Sequence, residues 1–342
     1  MKSRSFRASA LVAVMMLASM LGGCNTPNGD GQNPSSVQPM AAHIQLPQAD
    51  VDRVTDIKAR HEDELLALPS VVGAGVGVND DGSPAIVVFA SDHGVRGVPQ
   101  NIEGVRTRTE YVGEVRALQF TGTYRAPMWS GVSVGNDNEC AAGTIGCVVK
   151  NNVNNTFYLL SNNHVFAREN SAKIGEKIDQ PGRYEFNCGP SGQVGTLNSF
   201  VKIVMKRNAS NVVDCAIANI GSGINPTSQM ALSSYTPTTN ARNATVGMTV
   251  KKTGRTTGLT GGTVSAVNVT INVQYSHGTA RFINQVYVTP GTFSAAGDSG
   301  SLIVEASSND PVALLFAGGS SGTFGNPITS VLISFGVSVV PF

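Results

Sequence analysis

Val250–Val264 reads VKKTGRTTGLTGGTV, and Ala296–Ser301 reads AGDSGS. In the first stretch, β-branched residues flank a Gly-Arg-Thr-Thr-Gly turn, the pattern of a hairpin. In the second, Gly297 and Gly300 bracket Asp298-Ser299, so a tight turn can present the serine hydroxyl with backbone N–H groups free to converge on an anion. The same texture extends outward from Tyr124. Short Val/Ile/Thr-rich runs (GVSVG, TIGCVVK, TFYLLSNN, QVGTL, VVDCAIANI, INQVYVT, GSLIVEA, ALLFAGG) alternate with Gly, Asn and Ser clusters. Many short strands at this spacing predict an all-β sandwich or barrel, and the length of this region suits two small barrels packed together.

Composition excludes several classes. The 342 residues carry 24 Lys+Arg against 23 Asp+Glu, which leaves no basic excess for neutralising phosphates, so nucleic acid is not an expected partner. Hydrophobic residues make up 41% of the chain, enough to bury a core. Beyond the N-terminus no run reaches the ~18 apolar residues of a spanning helix. No Cys-x-x-Cys and no histidine pair at i, i+4 occurs, so neither a metal nor a cofactor is expected.

The N-terminus reads as an export address. Lys2, Arg4 and Arg7 precede an apolar run from Ala8 to Leu21, then Gly22, Gly23 and Cys24, which is a basic region, a short apolar region and small residues before a cut. A plain signal peptide would leave Cys24 incidental. Residues 24–45 are polar and Pro/Gly-rich, and predict a flexible tether. Residues 46–122 predict a small α+β domain. A helix from about Asp50 to Leu68 ends before Pro69, VVGAGVGV and AIVVFA form a hairpin, and GVRTRTEYVGEVRAL alternates as a half-buried strand.

Three residues of 123–342 form the candidate chemistry. His164 follows the run TFYLLSNN, at a strand end. Asp214 lies within the apolar run VVDCAIANI, where an unpaired carboxylate would cost several kcal/mol, on the order of a broken buried ion pair, so a partner such as a histidine N–H is expected. Ser299 completes the order His, Asp, Ser, one of the orders in which such triads occur. Asp179 is the rival acid, but Asp-Gln-Pro-Gly reads as a solvated turn. His61, His93 and His277 read as surface residues. After Cys24, four cysteines remain (Cys140, Cys147, Cys188, Cys215), and an even count in an exported chain suggests disulfides in any of three connectivities. Cys140 and Cys147 are close enough for a local loop, which would leave Cys188 with Cys215.

These stretches together resemble the chymotrypsin-fold (trypsin-like) serine peptidases, nearest the bacterial α-lytic protease and streptogrisin branch, over residues 125–342. The hairpin VKKTGRTTGLTGGTV, the later GDSG and the ending VLISFGVSVV match that branch. SNNHVFA and QPG resemble the narrow-leaf-type bacterial relatives. The resemblance implies a mainly β fold, a double six-stranded β-barrel preceded by the small α+β domain. It implies a serine endopeptidase acting on protein or peptide substrates, with His164 as general base, Asp214 as its orienting acid, Ser299 as nucleophile and the Gly297 and Ser299 amides as oxyanion hole. It also implies an internal Arg255–Asp298 ion pair and a primary pocket walled by Gly318 and Gly319, with Phe293 in the segment shaping its base. That segment has no Asp or Glu, so small or medium apolar side chains are expected before the scissile bond.

Leu21-Gly22-Gly23-Cys24 further resembles the bacterial lipobox. What it implies is lipidation of Cys24 and anchoring to the cell envelope, at the outer membrane if the cell is Gram-negative, or release outside; a monomer is expected. Departures from the branch are Val165 where cysteine usually follows the histidine, Ser301 for a glycine, and Ala317 for a serine that helps hold the buried aspartate. They keep open a second reading, a catalytically weak or inactive protease-fold surface binding protein. The α+β domain is either a pro-region that blocks the cleft until removed or a permanent accessory domain.

Overall fold

The computed structural model describes residues 46–342 except 114, 118–127, 232 and 234. The export signal, Cys24 and the tether expected before residue 46 lie outside the described residues. Among the described residues no helix is long and apolar enough to cross a membrane.

Helix α1 (Gln48–Ala67) buries Val51, Val54, Ile57 and Leu65 along one face. Leu68 turns extended (ψ 138°) because the ring of Pro69 disfavours helical angles in the residue before it. Strands β1 (Val71–Val78) and β2 (Pro84–Ala90) form the expected hairpin, with Val78 opposite Pro84. Strands β3 (Asn101–Ile102) and β4 (Val105–Tyr111) follow, β4 lying parallel to β2. The run expected as one strand is two. Gly113 at φ +67° turns the chain, and β5 (Arg116–Ala117) begins after it.

The next segment supplies β6 (Trp129–Ser130), β7 (Ser133–Asn136), β8 (Gly143–Thr144), β9 (Cys147–Asn151) and β10 (Phe157–Ser161). Helix α2 (Asn163–Phe166), β11 (Lys177–Gln180), β12 (Gly192–Phe200), β13 (Ala216–Ile220) and β14 (Thr227–Met230) complete it. Strands β8-β7-β11-β12-β13-β10-β9 form one antiparallel sheet, curled around Val134, Ile145, Leu159, Phe166, Ile178, Leu197 and Ala218.

The last segment supplies β15 (Thr249–Gly254), β16 (Gly258–Tyr275), β17 (Gly278–Thr289), β18 (Leu302–Glu305), β19 (Pro311–Gly318) and β20 (Thr323–Pro327). The path β15-β18-β19-β20-β17-β16 closes through β15–β16, so these six antiparallel strands form a closed barrel. Helix α3 (Ile328–Phe335) ends at Gly336 in the left-handed conformation (φ 61°), the usual glycine stop. Strand β21 (Val337–Val339) then returns to pair with β9 of the first sheet, so the chain end ties the two halves. The fold is the expected mainly β one.

At 18 residues, β16 outruns its barrel partners, and its far half pairs with β1, Gly73 opposite Ile271 and Val76 opposite Val267. The strands between residues 46 and 117 thereby continue the sheet of the second barrel, and the described residues hold together as one compact unit. The alternate glycines of β1 are what permit this approach. A Cβ at Gly77 would lie 2.7 Å from the Ser265 carbonyl oxygen, and one at Gly73 would lie 2.5 Å from that of Thr270. Both atoms are backbone and cannot swing away. Gly77→Val should therefore cost about 1–3 kcal/mol of stability, the usual range for overpacking, read as a lowered denaturant midpoint; an unchanged midpoint would show the junction to be loose.

Candidate active site

Strand β10 ends at Ser161, and α2 lifts His164 onto the rim between the halves. Asn162 precedes the helix and ties it to the neighbouring strand, its side-chain amide donating to the Asp214 carbonyl at 2.7 Å. Asp214 sits just before β13 rather than inside it, which frees its side chain from the alternation of the strand. The carboxylate has no exposed surface and is ringed by donors. His164 Nδ1 lies 2.6 Å from Oδ2, the His164 backbone N–H donates to Oδ1 at 3.1 Å, and the Tyr275 hydroxyl donates to Oδ2 at 2.7 Å.

Burial alone would lower the His164 pKa, but the charge of Asp214 and its hydrogen bond outweigh that and raise it above the ordinary value. The other ring nitrogen, Nε2, is buried without a hydrogen-bond partner. Tyr275 escaped the sequence reading. Its signal there was only a tyrosine at the tip of a long β-branched run, which reads as core packing.

Ser299 is brought to the same place. Its carbonyl accepts from the Thr144 N–H at 2.7 Å. A Cβ on Gly143 would come 2.8 Å from Val165 Cγ1, beside His164, and 2.9 Å from the Ser299 carbonyl oxygen. On the other side, Gly300 packs against the Ser161 hydroxyl, too closely for any side chain. Ser299 is thus bracketed by residues flanking His164. Its own turn runs through Gly297 and Gly300, both at φ +95°, where a β-carbon is strained, and the Gly297 carbonyl accepts from Thr144 Oγ1 at 2.9 Å.

Asp298, also without exposed surface, fixes that turn, but not through the expected arginine. Its ion-pair partner is Lys252, with Nζ 3.2 Å from Oδ2 and both side chains wholly buried. The backbone N–H groups of Ala295, Thr256 and Thr257 and the Thr257 hydroxyl add four hydrogen bonds at 2.6–3.2 Å. Arg255 turns instead to Glu185, which accepts from Nε at 2.8 Å and Nη2 at 2.6 Å. The reason is registry. Lys252 lies opposite Thr260 and Ile303 inside the barrel, whereas Arg255 sits on the hairpin turn, where its longer fork reaches the loop after β11.

Other expectations are also revised. Cys140 is bonded to Cys188, while Cys147 and Cys215 are free and buried. The latter two lie within one apolar cluster with Leu160 and Leu302, and burial pushes both thiols up. Asp179 is no solvated turn residue. It lies in β11, 2% exposed, and burial together with the neighbouring Asp137 raises its pKa to about 6. His277 is exposed as expected, yet it contacts Glu169 at 3.1 Å. His61 meets Glu103 at 2.8 Å, and His93 stacks on Tyr111 with ring centres 3.7 Å apart. Phe293 packs in the core of the second barrel with no exposed surface, 5.9 Å from Lys252 Nζ. The edge at Gly318 and Gly319 is covered: β5 pairs antiparallel with β19, Arg116 opposite Gly318 and Ala117 opposite Ala317, and the Val112 carbonyl accepts from Ser320 N–H at 3.3 Å.

No protein-family model matches the chain. It is 41% identical over 107 residues to glutamyl endopeptidase 2 of Streptomyces griseus, covering 29% of this chain and 52% of that protein. It is 38% identical over 140 residues to serine protease 1 of Streptomyces fradiae, covering 33% and 36%. Streptogrisin-A of Streptomyces griseus is 33% identical over 114 residues, covering 31% and 35%. Over these stretches the chain is similar to streptomycete serine proteases. It spans about half or less of the length of these curated relatives. Among solved structures it is similar to a glutamic acid-specific serine protease (24% identity, TM-score 0.46, covering 62% of this chain and 100% of that one). It is also similar to Nocardiopsis protease NAPase (19%, 0.45, covering 63% and 99%).

Two measurements test this geometry. An NMR titration of the His164 ring should give a midpoint above the ordinary ~6.5 of histidine, because Asp214 favours the charged ring; a midpoint below it would mean burial wins. Lys252→Met should leave Asp298 a buried, uncompensated charge and destabilise the protein by roughly 3–5 kcal/mol, and Arg255→Met should not unpair Asp298. Equal losses in the two variants would refute the assignment of Lys252 to Asp298.

Proposed function

We propose that the protein is an exported serine endopeptidase in which Ser299, His164 and Asp214 form the catalytic triad. The observation that carries the reading is the His164 Nδ1–Asp214 pair at 2.6 Å beside the turn that bears Ser299, with Nε2 left as a base without a partner. On this reading Nε2 takes the Ser299 proton as Oγ attacks the substrate carbonyl. The developing oxyanion is met by the Gly297 and Ser299 N–H groups, and Asp214 offsets the imidazolium charge. The C–N bond then breaks, His164 returns the proton to the leaving amine, and water clears the acyl-enzyme by the reverse proton path. The absence of Asp and Glu from Pro290–Ala296 favours small or medium apolar side chains before the scissile bond. The lipobox-like Leu21–Cys24 favours a lipid anchor at the cell envelope, with the protein acting on peptides outside the cytoplasm.

The residue 46–122 segment fits a pro-region on the same proposal. Ser299 has no exposed surface, and β5 takes the edge of β19 beside Gly318–Gly319, the wall along which a substrate main chain would run by strand addition. Cleavage between Ala117 and Met128, followed by opening of the β1–β16 junction, would separate this strand from the barrels.

A fluorophosphonate probe separates the readings. Material cut between Ala117 and Met128 and then freed of the N-terminal segment should label at Ser299 and hydrolyse peptides, Ser299→Ala should stay dark, and the uncut chain should label much more slowly. Freed protein that does not label would favour the surface-binding alternative. Equal labelling of freed and uncut protein would favour a permanent accessory domain.

A further inference from the structure

The hairpin between β16 and β17 projects from the second barrel across the His164–Asp214 pair. Its first tip residue, Tyr275, is 3% exposed, and its hydroxyl donates to Asp214 Oδ2, the oxygen that also faces His164 Nδ1. The ring centres of Tyr275 and His164 are 6.2 Å apart. The next two residues are gripped from the first barrel by Glu169, which lies in the loop following His164. Its carboxylate accepts from the Ser276 backbone N–H at 2.9 Å, from the Ser276 hydroxyl at 2.5 Å and from the His277 backbone N–H at 3.4 Å, and it contacts His277 Nδ1 at 3.1 Å.

Glu169 is aimed there at a backbone cost. Arg168, Glu169 and Asn170 all have positive φ, 49°, 54° and 75°, a run that L-residues adopt only when the surroundings over-determine it. The surroundings do so. Arg168 is pinned to Glu176 at 2.8 Å, and Asn170 donates to the Ile203 carbonyl at 2.9 Å and exchanges hydrogen bonds with Asn163. The loop after His164 and the hairpin carrying Tyr275 are therefore locked to each other at a point beside the histidine–aspartate pair.

We propose that Tyr275 is the positioning residue for Asp214, holding the carboxylate in the plane that presents Oδ2 to His164, and that Glu169 anchors the hairpin that places it. The hydroxyl supplies from the second barrel the hydrogen bond that Ala317 cannot supply. The inference rests on the triad reading for its kinetic consequence but not for its structural one. Tyr275 contacts no substrate; it acts through Asp214.

The test uses Tyr275→Phe, which removes the hydroxyl alone, and Glu169→Gln, which loosens the hairpin without entering the core. Two readouts are taken, the first on the full chain and the second on protein cut between Ala117 and Met128 and freed of the N-terminal segment. The far-downfield proton signal of His164 Nδ1–H, which reports its bond to Asp214, should shift or broaden in Tyr275→Phe, and less in Glu169→Gln. In peptide hydrolysis, kcat should fall about ten- to hundredfold in Tyr275→Phe, the equivalent of one hydrogen bond to a charged group, with KM nearly unchanged. Glu169→Gln should fall in the same sense by less. A downfield signal and kcat unmoved in both variants would overturn the proposal, as would a loss confined to KM. If Tyr275→Phe does not fold, Glu169→Gln alone decides by the same signals. If wild-type protein shows the downfield proton but no hydrolysis, the endopeptidase reading fails, while the signal still decides the role of Tyr275.

Discussion

One buried carboxylate sets the terms for the rest of the molecule. Asp214 has no contact with water, and an ion in that position persists only if donors surround it. Its donors come from places far apart in the chain: the backbone and ring of His164 on α2 at the rim of the first sheet, and the hydroxyl of Tyr275 at the end of an 18-residue strand of the second barrel. Its own backbone N–H is held by Asn326 Oδ1 at 3.0 Å, on β20. The two halves must pack together for the ion to have all of these partners. This couples folding to assembly of the site. A molecule with the barrels apart would keep His164 beside the carboxylate but lose the Tyr275 donor and the Asn326 acceptor, and a molecule with them docked has the pair fully held.

A second buried carboxylate repeats the logic at the serine. Asp298 is held by Lys252 and by four hydrogen bonds from the two neighbouring turns, so the Gly297–Gly300 turn is shaped by an internal cation rather than by a freed chain terminus. The conformation of the serine turn is thus set by the closed barrel itself. Arg255 contributes elsewhere, binding Glu185 close to the Cys140–Cys188 bridge and tying a first-sheet loop to the second barrel.

The contrast between what was legible and what was not follows interaction range. The β1–β2 hairpin, the Pro69 helix stop and the barrel texture depend on periodicity and turn chemistry a few residues long, and all could be read directly. So could His164, Asp214 and Ser299, because a polar residue in an apolar or glycine-flanked setting is locally conspicuous. Pairings across the fold were not legible. Arg255 and Lys252 stand three residues apart on one hairpin, and only the barrel register decides which of them faces inward to Asp298. Cys140 finds Cys188 rather than Cys147 because β9 turns Cys147 into the core. Tyr275 was invisible as a polar partner because an aromatic residue in a β-branched run is ordinarily packing. Asp179 looked solvated because Asp-Gln-Pro-Gly is turn chemistry, yet its strand carries it under the first sheet.

The most informative mismatch lies between a fully formed histidine–aspartate pair and a serine with no exposed surface. An edge such as that of β19 at Ala317–Gly318 offers unpaired N–H and C=O groups, and any extended chain of suitable direction can occupy it. Here the occupant is β5, from the same polypeptide. It needs no special affinity. Tethering gives an intramolecular segment an effective concentration on the order of millimolar, ahead of a dilute external peptide, and the β1–β16 junction adds to this by keeping β5 within reach. The same arithmetic says how the edge is vacated. Cutting the chain beyond β5 alone does not weaken its pairing, because the β1–β16 contact still holds the segment in place. Release requires that junction to open as well. The glycines of β1, which let that strand approach closely but give it no side chains to pack there, set how firmly the segment is held after the chain is cut.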